Sequence, residues 1–130
     1  MPGIDESLLE AMRLPGARGA AVVDWISGLA LGAVGDAPGG DPEATAAETA
    51  ELARLATESG VLAPADAGPG KEPPVQDLIL TNTDSYHLLR FVTTTFDSTV
   101  FLHLWLDRTD GNLALARIRL AEMADRLVLG

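Results

Sequence analysis

Cysteine is absent from this chain of 130 residues, so neither disulfides nor thiolate metal centres can form. Cations are scarce as well. Nine Lys and Arg face nineteen Asp and Glu, and the net charge is −10. A surface so acidic repels phosphate backbones and anionic lipid headgroups, which argues against nucleic acid as a partner. No apolar run approaches the roughly 20 residues that a membrane span needs. The first seven residues are acidic and lead into no apolar export core. These absences predict a cytoplasmic protein without membrane insertion. Lys71 is the sole lysine, while Ala, Gly and Pro abound, a bias suggesting a GC-rich bacterial genome.

Catalytic signatures are missing too. The Gly16 to Gly19 stretch lacks the Gly-Lys-Ser/Thr ending of a phosphate loop, so the chain is not itself a GTPase. No Gly-x-Ser-x-Gly elbow, His-Glu-x-x-His helix or dinucleotide fingerprint occurs. We therefore expect no enzyme, no catalytic residue, no metal and no cofactor. What is present is an apolar fraction of 47%, enough for a packed core. The length suits a single domain over residues 1–130, with 63–74, rich in Ala, Pro, Gly and Asp, as a flexible loop.

The pattern divides into eight elements. Ser7 to Arg13 reads as a short helix whose apolar face is Leu8, Leu9 and Met12, stopped by Leu14-Pro15-Gly16. Arg18 to Asp24 reads as a strand buried on both faces, and Leu29 to Val34 as its partner across a turn. A Gly/Asp/Pro loop over Gly35 to Gly40 follows. Asp41 is a good N-cap and Pro42 fits the first turn of a helix running to Ser59, with Gly60 as its stop. Three strands come next, about Val75 to Thr81, Tyr86 to Thr94 and Thr99 to Leu106. Asn82 to Asp84 and Phe96 to Ser98 are the turns between them. Asp107 to Asp110 caps a last helix reaching about Val128, with Leu113, Ala116, Leu120, Met123 and Leu127 inward.

The order is α-β-β-α-β-β-β-α. Both faces of the later strands are apolar, so the sheet needs cover on each side. One helix on one face and two on the other suffice. The fold class is α/β, a profilin-like three-layer α/β/α domain around a five-stranded, mostly antiparallel sheet.

In this arrangement the chain resembles the Roadblock/dynein light-chain (LC7) family. The matching features are Pro15-Gly16-Ala17-Arg18-Gly19-Ala20, the strand end Val22-Val23-Asp24 and the restart Gly28-Leu29-Ala30. The strands Leu88 to Val92 and Phe101 to Leu106 also fit, and the likeness covers roughly Leu8 to Leu127. The resemblance implies a homodimer in which the middle helices pack together and an edge strand continues the sheet across the two-fold axis. It also implies a role beside small Ras-like GTPases, or within motor and signalling complexes. Two features depart from the family pattern. Trp25 and Ile26 occupy a hairpin turn that is usually polar, and the Gly68 to Pro74 loop is long and proline-rich.

The middle helix is expected to carry the interface. Thr45, Leu52, Leu55, Ala56 and Ser59 line one face, which the spacing assigns to the core. Almost opposite lie Ala46, Ala50, Ala53 and Thr57, a stripe of small residues suited to close approach by a second chain. The alternative is a plain solvent face with alanine chosen for helix propensity. The strand from Val75 to Thr81, with Leu78, Ile79 and Leu80, is the expected edge for symmetric pairing, unless the preceding loop covers it. Trp25 and Ile26 either anchor a partner or fold beneath a helix. Glu48 is expected to snorkel out or pair with an arginine.

His87 and His103, the only histidines, fall on neighbouring strands. With no Asp or Glu at ligand spacing they read as structural groups. Asp24, Asp36, Asp41 and Asp84 are accounted for by turns and caps. Arg18, Arg90 and Arg108 are the arginines that an interface with a GTPase could use. The function expected is a non-catalytic homodimeric regulator or scaffold binding a small Ras-like GTPase or a related signalling partner. A small-molecule sensor with the same fold is the alternative.

Overall fold

In the computed structural model, which describes residues 3–59, 75–92 and 99–127, the elements follow the expected order. They are α1 (Ile4–Ala11), β1 (Ala17–Asp24), β2 (Leu29–Gly35), α2 (Pro42–Glu58), β3 (Asp77–Thr81), β4 (Ser85–Val92), β5 (Val100–Asp107) and α3 (Leu113–Arg126). A short 3₁₀ turn, Pro38–Gly40, precedes α2. The five strands form one antiparallel sheet in the order β2-β1-β5-β4-β3. β5 thus returns to the middle, between β1 and β4, and leaves β2 and β3 as the two edges.

Alternation along the strands divides the core in two. Ala20, Val22, Leu88, Leu102 and Leu104 face α1 and α3, where Leu8, Ala116, Leu120 and Met123 meet them. Val23, Leu89, Phe91 and Phe101 face α2. The expected split, two helices on one side and one on the other, is what the packing shows.

Several local readings are corrected. α1 begins at Ile4, three residues before the expected Ser7, so Asp5 and Glu6 lie inside its first turn, where their charge suits the helix dipole. Ser7, Leu8 and Ala11 form its buried face and Leu9 is exposed, because Ile4, Leu8 and Ala11 recur at helical spacing on one stripe and Leu9 lies off it. The cap of α3 is Asn112, whose Oδ1 accepts from Leu115 N at 3.0 Å. Asp107 instead closes the turn before it, accepting from Asp110 N at 2.9 Å. Asp41 caps α2 as expected, accepting from Glu43 N and Ala44 N at 3.0 and 3.2 Å. The readings for Gly60, the 63–74 loop with Gly68 to Pro74, Thr93 and Thr94, the Phe96 to Ser98 turn and Val128 lie outside the described residues.

One glycine fixes how closely the first hairpin closes onto the loop that follows. A Cβ on Gly19 would land within the carbonyl of Asp36, whose own N–H donates to the Arg18 carbonyl at 2.9 Å. Gly19→Ala must therefore push the end of β2 away from β1. We expect a loss of about 2 kcal/mol, read as a lowered midpoint in urea unfolding; an unchanged midpoint would show that the hairpin yields freely.

Candidate functional site

The middle helix sits the opposite way round from the sequence reading. Ala46, Ala50 and Ala53 are fully buried against the chain's own sheet. They are not an inter-chain stripe, and that expectation is corrected. The physical reason lies beneath them. Leu89, Phe91 and Phe101 are large, and alanine is what lets a helix settle onto bulky strand residues without overpacking. Thr57 is half-buried at the edge of the stripe, and its hydroxyl is spent on the carbonyls of Ala53 and Arg54.

On the face assigned to the core, Thr45, Leu52, Ala56 and Ser59 are half-buried and Leu55 is exposed. Leu55 is 62% exposed, and Leu52 lines an open groove. That groove, about 440 Å³, runs between α2 and the outer strands. Thr45, Glu48, Thr49 and Leu52 form one wall; Leu80, His87 and Leu89 form the other. Glu48 faces this space and makes no ion pair there among the described residues. β3 is an edge strand, as expected, with Leu78 packed partly against the inner cluster and Leu80 turned outward. Among the described residues, the apolar flank of α2 and the unpaired edge of β3 therefore face each other across this groove.

Trp25 and Ile26 part company. Trp25 packs against the cluster under α2, where Arg54 reaches its carbonyl at 3.5 Å, whereas Ile26 remains exposed. The turn itself is built by Asp24, whose Oδ1 accepts from Ile26 N at 2.9 Å.

The two histidines meet at the back of the groove. His87 Nδ1 lies 2.9 Å from His103 Nε2, the rings are within 18° of parallel with centroids 5.2 Å apart, and the Trp105 ring lies nearly parallel to His87 at 6.0 Å. Register explains this. His103 pairs with Leu89 and Trp105 with His87, which puts the imidazoles on one face, diagonal to each other. His87 borders the groove, while His103 borders a smaller cavity of about 120 Å³ behind the start of α2. Burial pushes both down. His103 falls from 6.5 to about 3, by desolvation first and the neighbouring His87 second. His87 is lowered by desolvation, with Asp84 pulling the other way. Both rings are neutral at neutral pH, and one donates its proton to the other. Among the described residues no His, Asp or Glu completes a metal-binding cluster with them. Each histidine supplies the other's hydrogen-bond partner in this contact.

Arg18 and Arg108 are engaged with the chain itself. Arg18 donates to Asp107 at 2.8 Å, approaches Asp84 at 3.7 Å and lies over the Trp105 ring at 5.0 Å. Backbone and side-chain bonds from Asp110 and Arg18 together hold the Asp107 carboxyl below its usual range. Arg108 lies over Tyr86 and donates to the Asn82 carbonyl at 2.8 Å. Arg90 is half-buried in β4. Asp24 and Asp41 serve the turn and the cap, as expected.

Of the groove residues, Thr49 was not singled out in the sequence, Leu52 was assigned to the core and Asn82 to a turn. A usable signal was present: Leu52 and Leu55 are the largest apolar side chains of α2, too large for the space above Phe91 and Phe101.

With this geometry fixed, comparison with solved structures is decisive for the fold. The chain superposes on Myxococcus xanthus MglB with a TM-score of 0.74 at 18% identity, covering 94% of this chain and 82% of that one. It superposes on a Roadblock/LC7 domain from Streptomyces avermitilis with a TM-score of 0.71 at 17% identity, covering 96% of this chain and 94% of that one. The chain has the Roadblock/LC7 fold. A further structure, MglB with a tetrameric arrangement, gives a TM-score of 0.73 at 21% identity, covering 95% of this chain and 83% of that one. No protein-family profile and no curated protein matches the sequence. The Roadblock/LC7 fold is thus preserved here by packing pattern, at identities too low to carry individual residues across. Among the described residues no helix is long and apolar enough to cross a membrane.

Proposed function

We propose that this chain is a non-catalytic, homodimeric regulator or scaffold that binds a small Ras-like GTPase or a related signalling partner. One observation carries the reading: the exposed flank of α2, with Leu55 outward and Leu52 in the groove, stands beside the open edge of β3. A second copy related by a two-fold axis would extend the sheet through β3 and cover this flank with its own α2. Strand pairing supplies backbone hydrogen bonds, and the leucines supply apolar area at roughly 25 cal/mol per Å². The tetrameric arrangement of one structural neighbour, MglB, supports the same reading. The GTPase comes from the family resemblance, and an acidic surface suits a protein partner that offers basic or apolar groups.

Leu55→Asp tests the dimer. The side chain is solvent-exposed, so folding is expected to survive, with an unchanged circular dichroism spectrum. Sedimentation equilibrium should show a dimer for the natural chain and at least tenfold weaker association for the variant. A natural chain that is monomeric at tens of micromolar would remove the dimer. It would also leave the groove of about 440 Å³ open, which favours the small-molecule sensor. The GTPase is tested by retention on the immobilised chain: a Ras-like protein from the host cells, held in one nucleotide state and released in the other, supports it.

A further inference from the structure

The second edge of the sheet has no part in that reading. β2, Leu-Ala-Leu-Gly-Ala-Val-Gly, carries no charge and no proline, the usual devices that keep an edge from pairing. Leu29 is 64% exposed and Leu31 47%, and along the strand exposed residues alternate with half-buried ones. One protective feature is present, a register shift opposite Val22 and Val23. It leaves Gly32 to Gly35 in unbroken register with β1, and this stretch has hydrogen-bonding groups on its outer side.

Carboxylates flank this edge on both faces. Asp5 of α1 lies over Gly32, its Oδ1 3.8 Å from where a Cβ would stand. Asp24 pairs in register with Leu29, and the exposed Asp36 follows the strand directly. On the other face Ala47 of α2 lies against Gly28 at 3.9 Å, and Glu43, one turn earlier on that flank, is exposed. The nearest cation on the same helix, Arg54, is held by Glu51 at 3.2 Å and by the Trp25 carbonyl.

We infer that β2 accepts an extended, cationic segment of another protein as a sixth strand. The open backbone supplies the pairing, Leu29 and Leu31 supply apolar contact, and the acidic flanks select lysine or arginine at alternate positions. A second copy of this chain is the poorer occupant. It would bring the same carboxylates against these, each chain carrying a net charge of −10.

The experiment uses a fluorescent eight-residue peptide alternating lysine with valine, titrated with the full chain and read by anisotropy. Leu31→Lys alters β2 alone and leaves the β3 edge and Leu55 untouched, so its comparison with the natural chain separates this result from the dimer proposal. Binding is expected to weaken at least tenfold when alternate peptide residues are N-methylated. That change leaves the charge intact but removes backbone donors along one side. It should also weaken at least threefold in Leu31→Lys, and fall with salt; a peptide alternating glutamate with valine should not bind. Equal binding of the N-methylated peptide would reduce the effect to charge adsorption and overturn the inference. So would the absence of binding at millimolar peptide in low salt, or self-association that Leu31→Lys abolishes without any peptide affinity.

Discussion

Replacing Ala50 by Arg should unfold the protein rather than split a dimer. Ala50 has no exposed surface and sits among Leu89, Phe91 and Phe101 in the cluster under α2. A guanidinium there would have to displace the helix from the sheet or bury its charge without a partner. The residues packed around it in that cluster are apolar and offer the charge no partner. Either route costs at least about 4 kcal/mol. A domain of this size commonly holds only roughly 5–15 kcal/mol in reserve. The expected observation is loss of the cooperative urea transition, or a midpoint near zero denaturant. Leu55→Asp, five residues along the same helix, should leave that transition in place. If Ala50→Arg folded normally and merely ran as a monomer, the buried orientation of the stripe would be wrong.

Acidification should destabilise the fold through the histidine pair. His103 has its folded value held near 3, against 6.5 ordinarily, by burial and by His87. The unfolded chain therefore takes up the proton first. The stability tied to the neutral ring is complete above pH 6.5 and drains away as pH falls towards 3. At 1.36 kcal/mol per unit, the loss reaches about 3 kcal/mol by pH 4. His87 adds in the same direction, because its value is also lowered, while Asp84 beside it moderates the effect. Asp107, lowered by its turn and by Arg18, loses its contribution over the acid range as well. Protonation of other carboxylates relieves the net charge of −10 and works against this trend, so a difference is the quantity to measure. His103→Gln should flatten the pH dependence of unfolding between pH 7 and 4 relative to the natural chain. Parallel curves would mean that His103 does not titrate in this way.

The placement of these two sites marks where sequence reasoning stopped. That His87 and His103 lay on neighbouring strands was readable, but their 2.9 Å contact was not. It depends on the β4–β5 register, which sets His103 opposite Leu89 and Trp105 opposite His87, and one residue of slip would part the rings. The middle helix shows the same limit more sharply. Its N-cap, its length and its two low-charge faces could be read from spacing. Which face turns inward could not, because periodicity ranks faces by apolar content, whereas packing ranks them by fit. Over Phe91 and Phe101 the smaller face fits.

Local chemistry fixed a great deal. Pro15 and Gly16 ended the first helix, Asp41 and Pro42 began the second, Asp24 shaped the hairpin turn, and doubly apolar strands required helices on both sides of the sheet. Those signals act over a few residues, or through solubility alone, and so survive in a linear string. The return of β5 to the centre, the resulting edges at β2 and β3, the outward turn of Leu55 and the pairing of the histidines arose only on folding. Each is set by shape and register between segments far apart in the chain, and no local pattern encodes that.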